Sequence, residues 1–456
     1  MRLRPRDIDR PKFKKIVRSW GFWTTSLLVL SFAFNALAAT SVYNFNGFQA
    51  DSEQLVRNAL ECQQKLGYGS FSGQLLIKTG KDCDKTALPY YPQSGLPFWL
   101  MGRLYPSGHT AQRAYMQGVK ITLAILSALM LAAICRRITV GLRIRYQALV
   151  YMLLALSPWL VVFSVNLFWL LPLLLAPAWF GWVFYERLRG NMRKFYVVLG
   201  ALFFLKFLAG YEYSTTLTIS AICPVLWYEL RNKMRWRQLL NRSALVVVVA
   251  VSGFILALGI NFWQAAHQTR SAKTGFHVIY DRARMRTLSG AAPDLGPGIV
   301  NQLALLKPHD YEFFENTLHL TDHTTNSKGD RIWQNAIVLY QYMATPTFTS
   351  PIEFRFPFTV LLTSVGAFAL FTCVVTYKRF KRFGLAFAYT DPLVAVTFVA
   401  LMGGLSWLVF GYQHSFIHTH INPIIFYLPF LPLSYVLLAH KLQDALSRHP
   451  RKRKLR

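Results

Sequence analysis

Four groups of polar and ionisable residues stand out in a chain that is otherwise mostly apolar. Asp51 comes about ten residues after the first apolar run and opens the stretch Asp51-Ser-Glu-Gln-Leu-Val-Arg-Asn-Ala-Leu-Glu-Cys, with Glu53 two positions on. A carboxylate there can take a proton from an acceptor hydroxyl or hold a divalent metal. Its structural alternative is an acid at a helix N-terminus, favoured by the helix dipole. The second group is Lys206 followed by Tyr211-Glu212-Tyr213, with Lys206 inside an apolar stretch and Glu212 at its mouth. Ionisable groups at membrane depth are expensive and face a cavity or a partner; the plainer reading is a mutual ion pair with Lys206 reaching outward.

The third group is Gly411-Tyr-Gln-His414-Ser-Phe-Ile-His418-Thr-His420. His414 and His418 are four apart and share one face if the segment is helical. Neutral imidazoles ligate metals and imidazolium binds phosphate oxygens; hydrogen bonding at an interface is the alternative. The fourth is Asp281-Arg282-Ala-Arg284-Met-Arg286, where Arg282 and Arg286, with Arg284 between them, are placed to clamp a phosphate. A solvated basic face explains the same arginines equally well. Asn166, in Asn166-Leu-Phe-Trp169, and Tyr91 with Gln93 are candidates for hydrogen-bonding a sugar, with simple turn roles as their alternative.

These groups must be positioned by membrane elements. Hydrophobic residues make up 53% of the 456-residue chain and charged residues only 15%, a balance that places it among membrane proteins. A span takes about 20 apolar residues. Ten candidate segments stand near 21–41, 115–135, 148–164, 168–185, 196–209, 214–229, 244–262, 357–377, 392–410 and 423–439, several of them short for independent spans, 196–209 above all. The fold expected is therefore an all-α integral membrane protein with about ten transmembrane helices.

The net charge of +30 orients it. Residues 1–20, 136–147, 186–195, 229–243, 378–391 and 440–456 hold 32 Lys/Arg against 6 Asp/Glu, whereas 43–113 and 263–356 hold 16 against 13. An excess of Lys and Arg in short loops marks the cytoplasmic side. Both termini are thus expected in the cytoplasm of a multi-pass protein of the bacterial inner membrane, with the reactive groups on the periplasmic face. The basic balance reflects this topology, so no nucleic-acid partner is expected.

Three regions follow: an N-terminal transmembrane module over 1–262 that includes the first outer loop 43–113, a large periplasmic loop or lid over 263–356, and C-terminal membrane helices with a basic tail over 357–456. The first outer loop contains two amphipathic stretches expected to lie on the outer leaflet. Leu55, Val56, Ala59 and Leu60 line one, and Leu96, Phe98, Trp99, Leu100 and Leu104 the other. The first apolar run ends in Ala-Leu-Ala-Ala, as a cleavable signal would, but its length favours an uncleaved anchor. Cys62 and Cys83 share the outer loop and are placed for a disulfide in an oxidising compartment; Cys135, Cys223 and Cys373 fall within spans, where they pack as small apolar residues. No P-loop, GxSxG or HExxH pattern occurs, which argues against nucleotide hydrolysis and soluble-type protease chemistry.

An acidic residue soon after span one, two interfacial helices in the first outer loop and many following spans together resemble the GT-C superfamily of integral-membrane glycosyltransferases. Tyr211-Glu212-Tyr213, Asn166-Leu-Phe-Trp169 and His414…His418-Thr-His420 are similar to segments of bacterial members acting on surface polysaccharides or glycoproteins. The resemblance implies a polyprenyl-phosphate-linked sugar as donor, a periplasmic glycan or protein acceptor such as lipopolysaccharide or pilin, and a membrane-lipid environment. It implies Asp51 as the catalytic or acceptor-orienting carboxylate and Glu212 as a second acid. Beside these, the residue reading offers Glu53, Tyr91, Gln93, Asn166, Lys206, Tyr211, Tyr213, Arg282, Arg284, Arg286, His414, His418 and His420 as candidates for substrate contact. A divalent metal, Mg or Mn, is an open expectation, with Asp51 and His418 as ligands if one is bound; the acidic pair that some members carry in the second major outer loop is absent. Two other readings stand beside it: an O-antigen polymerase or ligase, in which loop arginines and histidines dominate, and a non-catalytic transporter of lipid-linked glycans gated by Lys206 and Glu212.

Overall fold

The computed structural model describes residues 10–38, 53–66, 75–78, 83, 87–91, 93–287, 346–349, 355–357, 391–411, 415 and 422–452. They are mostly helical. In chain order the helices are α1 (Arg10–Ala38), α2 (Glu53–Leu66), α3 (Leu96–Arg103), α4 (His109–Ile138), α5 (Ile144–Ala155), α6 (Pro158–Val165), α7 (Leu171–Leu188), α8 (Met192–Ala209), α9 (Ser214–Arg231), α10 (Trp236–Thr269), α11 (Ala272–Thr287), α12 (Pro392–Phe410) and α13 (Phe430–Lys452).

Local chemistry sets several helix starts. Ser157 accepts from Leu160 N at 3.4 Å to open α6, Asn191 from Lys194 N at 3.1 Å to open α8, and Asp391 from Val394 N at 3.4 Å to open α12. Each side-chain oxygen satisfies an amide that has no partner inside its helix. Pro158 and Pro392 occupy first-turn positions, where a missing N–H does no harm.

Among the described residues, α4, α10 and α12 are long and apolar enough to cross a membrane. A fourth crossing is available from α5 and α6, bent by 56° at their joint. The chain is thus a mainly helical protein with membrane-crossing helices. α1, α7, α8 and α9 overlie the segments read at 21–41, 168–185, 196–209 and 214–229; of the segment read at 357–377, all but Pro357 lies outside the described residues. Large apolar side chains on the rim support a lipid-facing surface: Phe22, Trp23, Leu30 and Phe34 of α1, and Val248, Val251, Ile255 and Leu256 of α10, are exposed.

Within the bundle α1 runs along α4, α7 packs on α4, α8 and α9, α10 lies along α8, and α12 lies along α9 and α13. Lipid tails provide no hydrophobic drive between helices, so close approach and hydrogen bonds hold them together. At the α9–α12 contact, Gly403 lets the backbones meet: a side chain there would strike Ile219. Thr216 Oγ1 donates to the Gly403 carbonyl at 2.9 Å and Ser406 Oγ to Thr215 Oγ1 at 2.8 Å.

Two antiparallel ribbons join the helices, which helical spacing did not foretell. β1 (Leu75–Lys78) pairs with β2 (Ala87–Tyr90), Leu75 opposite Tyr90, and β3 (Pro346–Thr349) pairs with β4 (Arg355–Pro357). A Cys62–Cys83 disulfide ties the first ribbon's loop to α2. Cys135 and Cys223 are buried thiols within α4 and α9.

One end of the bundle is clamped by charge. Glu229, fully buried near the end of α9, accepts from Tyr185 Oη of α7 at 2.7 Å, from Arg189 Nε and Nη2 at 3.1 and 2.9 Å, and from Arg242 Nη1 of α10. A carboxylate so enclosed survives burial because each oxygen has a charged donor.

Candidate functional site

At the other end of α9, about 24 Å from Glu229 at 1.5 Å per residue, several helix-to-helix joints converge. The α8–α9 joint contains Gly210, Tyr211, Glu212 and Tyr213; the α6–α7 joint contains Asn166 to Leu170; the segment before α3 contains Tyr91, Gln93 and Ser94.

These joints are cross-tied. Ser94 Oγ donates to the Leu208 carbonyl at 2.6 Å, fastening the α3 segment to the end of α8. Asn261 Nδ2 of α10 donates to the Tyr91 carbonyl at 3.0 Å. Asn166 Oδ1 accepts from the amides of Phe168 at 2.8 Å and Trp169 at 3.1 Å, a side-chain turn that fixes the α6–α7 joint. This turn accounts for Asn166 structurally.

The joint also holds strained backbone. Tyr213 and Leu170, the residues opening α9 and α7, have φ of 62° and 47°, and Gly210 has φ of 148°. Side chains rarely occupy such angles, and strain of this kind gathers at functional sites. Gly210 has a further reason to be glycine: a β-carbon there would collide with the Glu212 carboxylate and the Gln93 amide oxygen. The missing side chain is what lets those two groups come together.

Around this point the polar inventory is dense. Lys206, Glu212, Gln93, Ser94, Asn166 and Asn261 are all buried. Lys206 Nζ donates to the Gly210 carbonyl at 2.6 Å, and the Glu212 carboxylate lies beside the same residue. Among the described residues neither amide atom of Gln93 is engaged in a hydrogen bond. Burial raises the Tyr91 phenol above its usual range, so it remains a neutral donor.

Aromatic rings form the walls. Tyr213 packs on Trp169 at 5.5 Å and on Trp407 of α12 at 5.2 Å between centroids. Phe168 lies between Trp169 at 5.0 Å and Phe98 of α3 at 6.3 Å, the latter stacked. Tyr211 packs on Phe254 of α10. A carboxylate, an ammonium and an amide unengaged among the described residues form a set that can hydrogen-bond a polar ligand, held in place by the packed rings.

The structure therefore brings together Tyr91, Gln93, Asn166, Lys206, Tyr211, Glu212 and Tyr213. It places Glu53 elsewhere: buried at the start of α2, its Oε1 meets Arg57 Nη2 at 2.7 Å and Lys120 Nζ of α4 at 2.8 Å. Arg282, Arg284 and Arg286 fall on α11, which packs against α10; Arg282 and Arg286 are one turn apart on it, and their side chains lie outside the description. Asp51, His414, His418 and His420 also lie outside the described residues. Sequence reasoning passed over Asn261 and Gln264, buried and three apart near the end of apolar α10. Polar residues at that spacing in a membrane helix were the available signal.

Among the described residues no three His, Cys, Asp or Glu side chains converge as metal ligands, and the pair expected to hold one, Asp51 with His418, is outside them. Comparison with protein-family models, with curated proteins and with solved structures gives no match for this chain.

Proposed function

We propose that this chain is a membrane glycosyltransferase that moves a sugar from a polyprenyl-phosphate donor to a periplasmic acceptor, in the bacterial inner membrane and with both termini in the cytoplasm. The observation that carries the reading is the convergence of Glu212, Lys206 and the unengaged Gln93 amide at one aromatic-walled end of the bundle. A buried amide without partners is costly unless a ligand completes its hydrogen bonds.

In this reaction the acceptor oxygen attacks the anomeric carbon and the bond from that carbon to the phosphate oxygen breaks. The electron pair leaves with the lipid phosphate, and the acceptor proton passes to a carboxylate. Asp51 is assigned that proton and Glu212 orients the reacting hydroxyls. Lys206 supplies fixed positive charge toward the departing phosphate, an electrostatic contribution that grows as water is excluded. Gln93 and Tyr91 hydrogen-bond the sugar, with Trp169 and Tyr213 shaping the wall. The arginines of α11 and the histidines at 414, 418 and 420 complete the proposed contacts to the phosphate. A metal, if bound, would lie on Asp51 and His418 and would neutralise phosphate charge.

The test is glycan and glycoprotein mass analysis of cells expressing wild-type or Glu212→Gln protein at equal membrane levels. Loss of one sugar from one surface class in the variant supports the reading. An unchanged glycan profile in both Glu212→Gln and Asp51→Ala cells would remove it.

A further inference from the structure

A polar cavity of about 590 Å³ opens between α2 and α4. Arg57, Glu61, Tyr105, His109, Arg113 and Lys120 line it. His109, Arg113 and Lys120 fall on one stripe of α4, separated by four and seven residues, one and two turns. Arg57 and Glu61 fall one turn apart on α2. The cavity shares no lining residue with the Glu212 cluster. Phe98 of α3 stacks on Phe168, and Gly102, one turn further along the same face, abuts Gln63 and Leu60 of α2.

The cavity's charge is unbalanced. Arg57 and Lys120 share one carboxylate, Glu53, through the same oxygen. Among the described residues Arg113 makes no ion pair, and it is exposed toward the cavity mouth. Three fixed cations and a histidine thus face two carboxylates. The wall is also organised: Gln112 Nε2 donates to Gln64 Oε1 at 2.9 Å and Gln64 Nε2 to the Pro106 carbonyl at 2.8 Å, bracing α4 against α2.

Depth identifies the ligand. The charge-free part of α4 starts at Ile121, so Lys120 marks the level where the hydrocarbon ends and Arg113 stands about 10 Å further out along the helix at 1.5 Å per residue. Beside Tyr105, Leu100 and Leu104 at the end of α3 are exposed, as side chains meant for acyl chains are. A cationic cavity at the level where the hydrocarbon ends faces lipid phosphates.

We infer that the α2–α4 cavity binds the phosphate of a membrane lipid headgroup, with Arg113 as its principal unpaired cation and Arg57 and Lys120 behind it. This site does not depend on the transfer reaction, since its readout is binding.

The experiment uses the purified full chain in nanodiscs of neutral lipid, with two probes titrated separately: phosphatidylglycerol in the bilayer and inorganic pyrophosphate in the buffer. Native mass spectrometry reads retained lipid, and thermal melting reads both probes. Wild-type protein should retain phosphatidylglycerol, Arg113→Lys should keep most of that binding, and Arg113→Glu should lose roughly tenfold in affinity, the loss expected when one charged hydrogen bond goes. Equal circular dichroism of the three proteins checks the fold. A loss confined to the pyrophosphate arm would overturn the lipid source. Identical behaviour of all three proteins in both arms would overturn the site.

Discussion

Lys206 reaches past the end of its own helix to donate to the carbonyl of Gly210 at 2.6 Å. The last carbonyls of a helix lack partners within it and carry partial negative charge, so a buried ammonium at this point both caps α8 and is itself stabilised. The same carbonyl belongs to the residue whose missing side chain admits Glu212 and Gln93.

Gly210→Ala tests that arrangement. The substitution places a β-carbon at φ of 148° and drives it into the Glu212 carboxylate. The expected loss is about 1–3 kcal/mol of stability, seen as a lower melting temperature in detergent, together with loss of transfer. A variant that melts with wild type would mean the joint relaxes freely.

Gln93 should show stability and activity moving in opposite directions. Its buried amide lacks partners among the described residues, so Gln93→Met removes two unsatisfied polar atoms and should leave stability unchanged or raise it by about 1 kcal/mol. Donor affinity should fall at least tenfold, on the order of one hydrogen bond to a ligand. Thermal melts and donor titrations of the same preparation would read both.

Glu212→Gln retains the shape and removes the charge. If the carboxylate orients or accepts protons, the turnover number should drop roughly 10²–10⁴-fold with KM little changed. A fall in affinity alone would assign Glu212 to binding.

Glu229→Ala should act on the fold and not on chemistry. It leaves Arg189 and Arg242 facing an emptied pocket, and breaking a buried pair by removing one partner costs about 3 kcal/mol or more. The residual exposure of both arginines holds the figure at the lower end. The folded fraction should retain its transfer rate, measured per mole of monodisperse protein.

Reducing the Cys62–Cys83 bridge releases a loop of 21 residues in sequence separation. Chain entropy gives about 3 kcal/mol for a loop of this length. Cys83→Ser protein should melt lower than wild type by an amount that reductant reproduces on wild type and does not add to in the variant.

The chain's long apolar runs were legible because membrane helices must satisfy their own backbone and cover it with apolar side chains. The segment read at 392–410 coincides with α12, and those at 115–135 and 244–262 fall inside α4 and α10. The amphipathic stretches around Leu55 and Phe98 became α2 and α3, and the two loop cysteines are bonded. The α5–α6 break was not read, because apolar composition hides a bend: Ser157 and Pro158 look like tolerated residues within a span, yet together they cap and start a new helix. Glu229 was counted only as one acid in a basic loop. Its partners come from 40 residues before and 13 after it, a distance no local pattern reveals. The joining of Gln93 to Glu212 depends likewise on the third dimension. Position 210 held the clue, but glycine has many reasons to occur.

α7, α9 and α10 are riveted together through Glu229 at one end, while at the other the described residues join them through rings, turns and single hydrogen bonds. The bundle is therefore a book bound along one edge. Loosening the Glu229 end would free three helices at once, whereas loosening the Tyr213 end would release them one contact at a time.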